Sequence, residues 1–253
     1  MIFLNYGIVF ILVLVRMIFM LVLTPIFNNK SLPMIGKIGF VFFTTYIMMP
    51  YVFTISNLNI NTFLDLAYFI TIEVLNGLLL GFVVNLSFGF VYIAGLLVDR
   101  NIGFAMVSVV NPQSESQIPV TANMYFLFLM LMFFTVNIHH RLIEALYKSY
   151  EVIPIGQLLF NFKTVDLLFR IIGDVFVVGV QIAAPFILTI LITNLILGLL
   201  SKAMPGMNVF LVGLPLKVFV GLITFLIVVQ YYFDIFNIHL NKMVKYLYQL
   251  LEL

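Results

Sequence analysis

The stretch that decides the reading is Asp99–Pro119, DRNIGFAMVSVVNPQSESQIP. It lies between two long apolar blocks. Its own apolar centre, Phe104–Val110, is too short to span a bilayer, whose hydrocarbon takes about 20 helical residues. Gly103 permits backbone angles closed to other residues, and Pro112 and Pro119 forbid one helix through the region. A polar run, Asn111–Gln117, follows the centre. Together these features describe a loop carrying an apolar plug. Irregular backbone at membrane depth persists only where protein surrounds it or a cavity borders it. The expectation is therefore a loop held inside a helical assembly.

The rest of the 253-residue chain agrees with that setting: 64% of it is hydrophobic and 9% charged, against about a quarter charged in soluble domains. This is the composition of an integral membrane protein, or of part of a very apolar assembly. A formal charge of +2 gives no reason to expect nucleic acid. With no cysteine there is neither a disulfide framework nor a thiolate metal site. There is no tryptophan, so Tyr and Phe must form any aromatic belt. The apolar N-terminus lacks a basic start, and Thr24-Pro25 stands where a small-residue cleavage site would fall, so it reads as a retained first helix.

Six apolar blocks follow from hydropathy and breakers: Ile2–Leu23, Met34–Phe53, Phe63–Val98, Val120–Tyr150, Val165–Leu200 and Met207–Gln230. The fold class is all-α, a polytopic membrane-type bundle of long, kinked helices. Block three would be about 54 Å long against roughly 30 Å of hydrocarbon, so it must tilt, break or protrude. Along it Glu73, Gly77, Gly81, Asn85 and Gly89 recur at every fourth position. Such a row forms a small-residue groove for close helix contact, with polar groups as glue. Block four leaves the apolar zone near Asn137, beyond which Arg141, Glu144 and Lys148 share one helical face and Glu144 can pair with Lys148. Gly179, Gln181 and Pro185 predict a kink in block five, where Thr189, Thr193 and Asn194 offer hydrogen bonds to neighbours. The last two blocks form a helical hairpin. The tail is amphipathic: Asp234, Asn237, Asn241, Lys245, Gln249 and Glu252 fall on one face, Phe236, Leu240, Met243, Val244, Leu247 and Leu250 on the other. It is expected to leave the bilayer and pack on a partner or on the lipid surface.

The positive-inside rule does not orient the chain. Simple alternation puts Lys30, Lys37, Arg100, Lys202 and Lys217 on one side and Arg141, Lys148, Lys163, Arg170, Lys242 and Lys245 on the other. Either the blocks are not all ordinary lipid-crossing helices, or the bias is weak here.

Chemistry is sparse. His139-His140 with Glu144 has the i,i+4 spacing of two metal ligands, but only His239 remains to complete a site. No Gly-x-Ser-x-Gly elbow, phosphate loop or His-Glu-x-x-His run occurs. No cofactor and no catalytic residue is expected. The intramembrane charges Arg16, Glu73, Asp174 and Lys217 are the functional candidates. Arg16, Glu73 and Asp174 either pair structurally, within the bundle or with other chains, or form the proton or substrate path of a secondary transporter.

Particular motifs then carry a resemblance. Asn111-Pro112-Gln113-Ser114, Ile118-Pro119-Val120, the run Asn137-Ile138-His139-His140-Arg141 through Leu146, and Ile153-Pro154-Ile155-Gly156 mark the middle. Ala184-Pro185, Asn194-Leu195-Ile196-Leu197-Gly198 and Asn208-Val209-Phe210 through Lys217 mark the second half. In these, and in length, order and hydropathy, the chain resembles the FliR/SctT family of type III export-gate membrane proteins, on its flagellar rather than its virulence branch.

The resemblance implies one copy of this chain in a helical gate with FliP and FliQ homologues. FlhB and FlhA homologues contact and feed that gate, and unfolded export substrates pass through it, in the bacterial inner membrane at the flagellar basal body. It implies a FliP-like part over 1–162 and a FliQ-like hairpin over 163–253, in an assembly lifted from the ordinary membrane plane. It also implies that the loop after the third long helix closes the pore, here within residues 100–119. The matching residues are Gly103, Phe104, Ala105, Met106, Val107 and Val109, then Asn111, Pro112 and Gln113. Ser114-Glu115-Ser116 departs from the family pattern and leaves the lower edge of the plug open.

Overall fold

The structure is a computed structural model that describes residues 2–28, 33–55, 62–104, 119–204, 206 and 208–252. Among these, every regular element is a helix: α1 (Ile2–Leu23), α2 (Pro25–Asn28), α3 (Met34–Ile55), α4 (Phe63–Ile102), α5 (Val120–Thr135), α6 (Ile138–Val152), α7 (Phe162–Ala203) and α8 (Val209–Leu251). Five are long and apolar enough to cross a membrane, or six with α5 and α6 as one bent span. The fold is thus all-α and polytopic.

The helix starts follow local chemistry. Asp65 Oδ2 accepts from the Thr62 backbone N–H at 2.9 Å, ahead of α4. At α7, Asn161 Oδ1 accepts from Thr164 N at 2.9 Å, while the Asn161 N–H donates to Thr164 Oγ1 at 3.2 Å. Such reciprocal bonds satisfy donors that a helix start leaves unpaired. Asn208 Oδ1 serves Leu211 N in the same way at the start of α8, at 3.4 Å.

Block four is two helices. Asn137 takes a left-handed backbone, φ 58°, between α5 and α6, a conformation that asparagine tolerates better than most residues. By contrast α7 runs unbroken through Pro185, and α8 through Pro215 into the tail.

The chain divides into two compact units. The first comprises Met1–Ser87, Asn137–Ile172 and Leu240–Leu253. In it α1 runs antiparallel to α3, with Tyr6 stacked on Phe53 at 3.7 Å and Phe10 edge-on to Phe42 at 5.3 Å. The end of α8 belongs to this unit, with Leu240, Met243, Val244, Leu247 and Leu250 buried. This corrects the expectation for the tail. Its apolar face is covered by the chain itself, and Arg141 Nη1 on α6 donates to Asn241 Oδ1 at 2.6 Å. Lys148 lies over the Tyr248 ring, 4.8 Å from its centroid. The cations on α6 thus reach across to α8 instead of along their own helix.

The second unit comprises Phe88–Val136 and Gly173–His239. Within it α7 and α8 form the expected antiparallel hairpin: Tyr232 Oη donates to Ile182 O at 2.9 Å and Thr224 Oγ1 to Thr189 Oγ1 at 3.1 Å. An aromatic core of Phe90, Tyr125, Tyr232 and Phe236 fills the space between α4, α5 and α8. These packing units are a different matter from the family-likeness boundary at 162/163.

Candidate functional site

The loop expected to act as a plug leaves α4 at Gly103 and rejoins the helices at Pro119. Gly103, at φ 101°, and Phe104 form a turn off the end of α4, and the Gly103 N–H donates to Asp99 O at 3.0 Å. Only glycine adopts that φ without strain. Ala105, Met106, Val107, Val109, Asn111, Pro112 and Gln113 lie outside the described residues.

The two feet of the loop are described, and they are fastened together. Pro119 precedes α5 and offers no side-chain oxygen to its free N–H groups. Asp99, on the last turns of α4, performs that task. Both its carboxylate oxygens accept from Thr121 N at 3.3 Å, and the Thr121 hydroxyl donates to Oδ1. An anion at a helix start is favoured by the unpaired N–H groups and by the helix dipole. Asp99 is 4% exposed and Thr121 6%, so water contributes little. One turn earlier, Gly95 faces the backbone of Ala122 so closely that a Cβ there would overlap it. Just beyond, a Cβ on Gly221 of α8 would stand 2.7 Å from Ile102 Cδ1. The neck is therefore built from close backbone contact and one buried carboxylate.

In the first unit, Arg16 of α1 pairs with Glu73 of α4. Nε donates to Oε2 at 2.5 Å and Nη2 to Oε1 at 3.1 Å. The remaining guanidinium N–H groups reach Ser149 O, Ser149 Oγ and Ile153 O at 3.1–3.3 Å. The Tyr150 ring lies 4.1 Å from Cζ. A guanidinium has five N–H donors in a planar fork, and here each finds an acceptor. The side chains are 1% and 0% exposed, so the charges answer to each other and not to solvent. Glu73 Oε1 also accepts from Gly156 N at 3.2 Å.

The fourth-position row lies along α1. A Cβ on Gly77 would stand 2.5 Å from Arg16 O, and one on Gly81 2.6 Å from Met20 O. Asn85 Nδ2 donates to Leu23 O at 2.8 Å, meeting a carbonyl at the end of α1 that has no helical partner. Contacts advance in the same sense on both helices, so α1 and this part of α4 are parallel. Gly89 turns to α7, where a Cβ would stand 3.3 Å from Val175 Cγ1. Such a drift is what a row spaced by four on a 3.6-residue helix produces. Asp174 and Lys217 are half-buried on α7 and α8.

Asn76 is a residue the sequence reading missed. Its amide donates to Gln157 O at 2.8 Å and accepts from Leu159 N at 2.9 Å. With Glu73 and Arg16 it fixes residues 153–159 onto the α1–α4 pair. The available signal was an amide beside Gly77 in an otherwise apolar helix. Asp99 and Thr121 were missed as well, because an acid at a block boundary reads as an ordinary helix end.

Comparison with known proteins places this arrangement. The family model described as Bacterial export proteins, family 1, matches residues 8–243. The flagellar biosynthetic protein FliR of Bacillus subtilis (strain 168) is 30% identical over 241 residues, covering 92% of each chain. FliR of Escherichia coli (strain K12) is 29% identical over 210 residues, 83% of this chain and 79% of the relative. The Yop proteins translocation protein T of Yersinia pestis is 30% identical over 147 residues, 57% of this chain and 56% of the relative. The chain therefore belongs to the bacterial export proteins, family 1, the FliR/SctT family of type III export-apparatus membrane proteins.

Proposed function

We propose that this chain, a subunit of a flagellar type III export gate, forms part of the channel for unfolded flagellar proteins, and that residues 103–119 close that channel at rest. The observation that carries the reading is the neck beneath the loop. The Asp99–Thr121 hydrogen bonds and the Gly95–Ala122 contact hold both feet together, so the chain from Gly103 is presented from a fixed base. Phe104, Ala105, Met106, Val107 and Val109 supply apolar side chains that exclude water and ions; Asn111, Pro112 and Gln113 end the apolar part. The action is steric. Displacing the loop admits an unfolded chain, and the driving energy comes from other components.

The gate is completed by FliP and FliQ homologues around one copy of this chain, with FlhB and FlhA homologues supplying substrate, in the bacterial inner membrane at the flagellar basal body. Residues 1–162 correspond to the FliP-like part and 163–253 to the FliQ-like hairpin. Against a carrier that uses Arg16 and Glu73 for transport stands their mutual pairing, with both side chains sealed from solvent. Extraction in mild detergent followed by mass determination tests the reading. A gate subunit comes out inside a complex of several chain types, and the purified chain alone moves no solute into liposomes. A chain that purifies alone and transports a solute would replace the gate with a carrier.

A further inference from the structure

The end of α4, from which the loop departs, meets α8 at two points. Ile102 is the last residue of that helix and is 5% exposed. A Cβ on Gly221 of α8 would stand 2.7 Å from Ile102 Cδ1 and 3.2 Å from Cγ1. Gly103 follows Ile102, and Leu214 Cδ1 lies 3.8 Å from where a Cβ on Gly103 would be. Leu214 and Gly221 are about two turns apart on one face of α8, so they bracket the junction between helix and loop. Both points are backed by α7. Beside Leu214, a Cβ on Gly213 would stand 3.2 Å from Leu197 Cδ1. Just past Gly221, Thr224 Oγ1 donates to Thr189 Oγ1 at 3.1 Å.

Isoleucine is branched at Cβ and stiff at χ1. Buried at the end of α4, Ile102 has little room to yield to a larger residue at position 221, and close-packed interiors pass such an overlap on to their neighbours. Gly103 is next in line, and its N–H holds Asp99 O at 3.0 Å in the last turn of α4. We infer that Gly221 is a positioning residue of the gate: its bare backbone lets α8 seat Ile102, and that contact sets where the loop leaves α4. The α7–α8 hairpin and the base of the loop then move together. Asp99 and Thr121 fasten the two feet to each other, whereas Gly221 fixes the first foot to a helix outside that pair. The consequence for closure rests on the gate reading above; the hold on Gly103 does not.

Membrane conductance is recorded in cells carrying the complete export system, with assembly verified by mass, for G221V, I102A and the double variant, beside a deletion of residues 103–110. Amide exchange at Gly103 is measured on the same substitutions in the full chain, with G221A as the milder change where valine prevents folding. The inference expects G221V to raise leak from an assembled complex several-fold and to speed exchange at Gly103 several-fold. I102A removes the atoms in the way, so the double variant should return both readouts most of the way to wild type. A merely structural defect would lower the amount of complex and leave the leak per complex unchanged. G198A on α7, where a Cβ meets no atom within 4 Å, should keep the wild-type exchange rate at Gly103. A tight G221V complex beside a leaking deletion overturns the inference, as does a leak that I102A fails to reduce. A deletion that stays tight as well rejects the gate reading, and exchange then decides alone. Wild-type exchange at Gly103 in both G221V and G221A overturns the hold; faster exchange, restored in the double variant, upholds it.

Discussion

The Arg16 guanidinium meets the Glu73 carboxylate at 2.5 Å, with side-chain exposures of 1% and 0%. The two residues are 57 positions apart in sequence, so the pair ties α1 to α4. Removing one partner leaves a buried charge uncompensated, which costs about 3–5 kcal/mol in comparable sites. Arg16→Met or Glu73→Leu alone should therefore lower the melting temperature of the detergent-solubilised chain sharply. The double variant should recover much of that loss, because apolar side chains of similar volume replace a buried pair at little net cost. A melting series of the four proteins checks this.

Gly77 and Gly81 are the places where α1 and α4 approach by backbone. Gly77→Val and Gly81→Val should each destabilise the chain by about 1–3 kcal/mol or more, as overpacking does. Gly173→Ala is the contrast. No atom lies within 4 Å of its would-be Cβ, and alanine is the better helix former by about 1 kcal/mol. It should be neutral or mildly stabilising. Chemical denaturation in a fixed micelle distinguishes these outcomes.

Asp99 supplies the start of α5 with the acceptor that Pro119 lacks. Asp99→Leu should cost about 1–2 kcal/mol, the worth of an N-terminal cap. It should also speed hydrogen exchange at the Thr121 amide while leaving the middle of α5 protected. Asp99→Asn keeps one carbonyl acceptor and should fall between. Equal protection at Thr121 in all three proteins would mean that the carboxylate does not hold the neck.

Much of the architecture was legible because the breakers and apolar runs are unambiguous. The apolar runs Ile2–Leu23, Met34–Phe53 and Phe63–Val98 coincide with α1 or lie within α3 and α4. What stayed hidden depends on contacts distant in sequence. Arg16 had both Glu73 and Asp174 as conceivable acidic partners, and only the parallel course of α1 and α4 selects Glu73. The tail read as a surface for something outside the chain because its amphipathic pattern states that a face is buried, not by what; the chain itself buries that face, and α6 meets the tail at Asn241 and Tyr248. At Asn137 the polar onset was visible but the break was not, since helix-compatible and left-handed asparagines look alike in sequence. Asp99 and Thr121 sit 22 positions apart across the loop they close, and no local pattern pairs them.

The central claim is that the loop on this neck keeps a conduit shut, and ion leak is its most direct measure. Residues 103–110 are deleted in a cell carrying the complete export system, and membrane conductance is recorded beside the intact chain with assembly verified by mass. The account predicts a marked rise in leak from a complex that still assembles. A membrane that stays as tight as wild type around an assembled complex would contradict it.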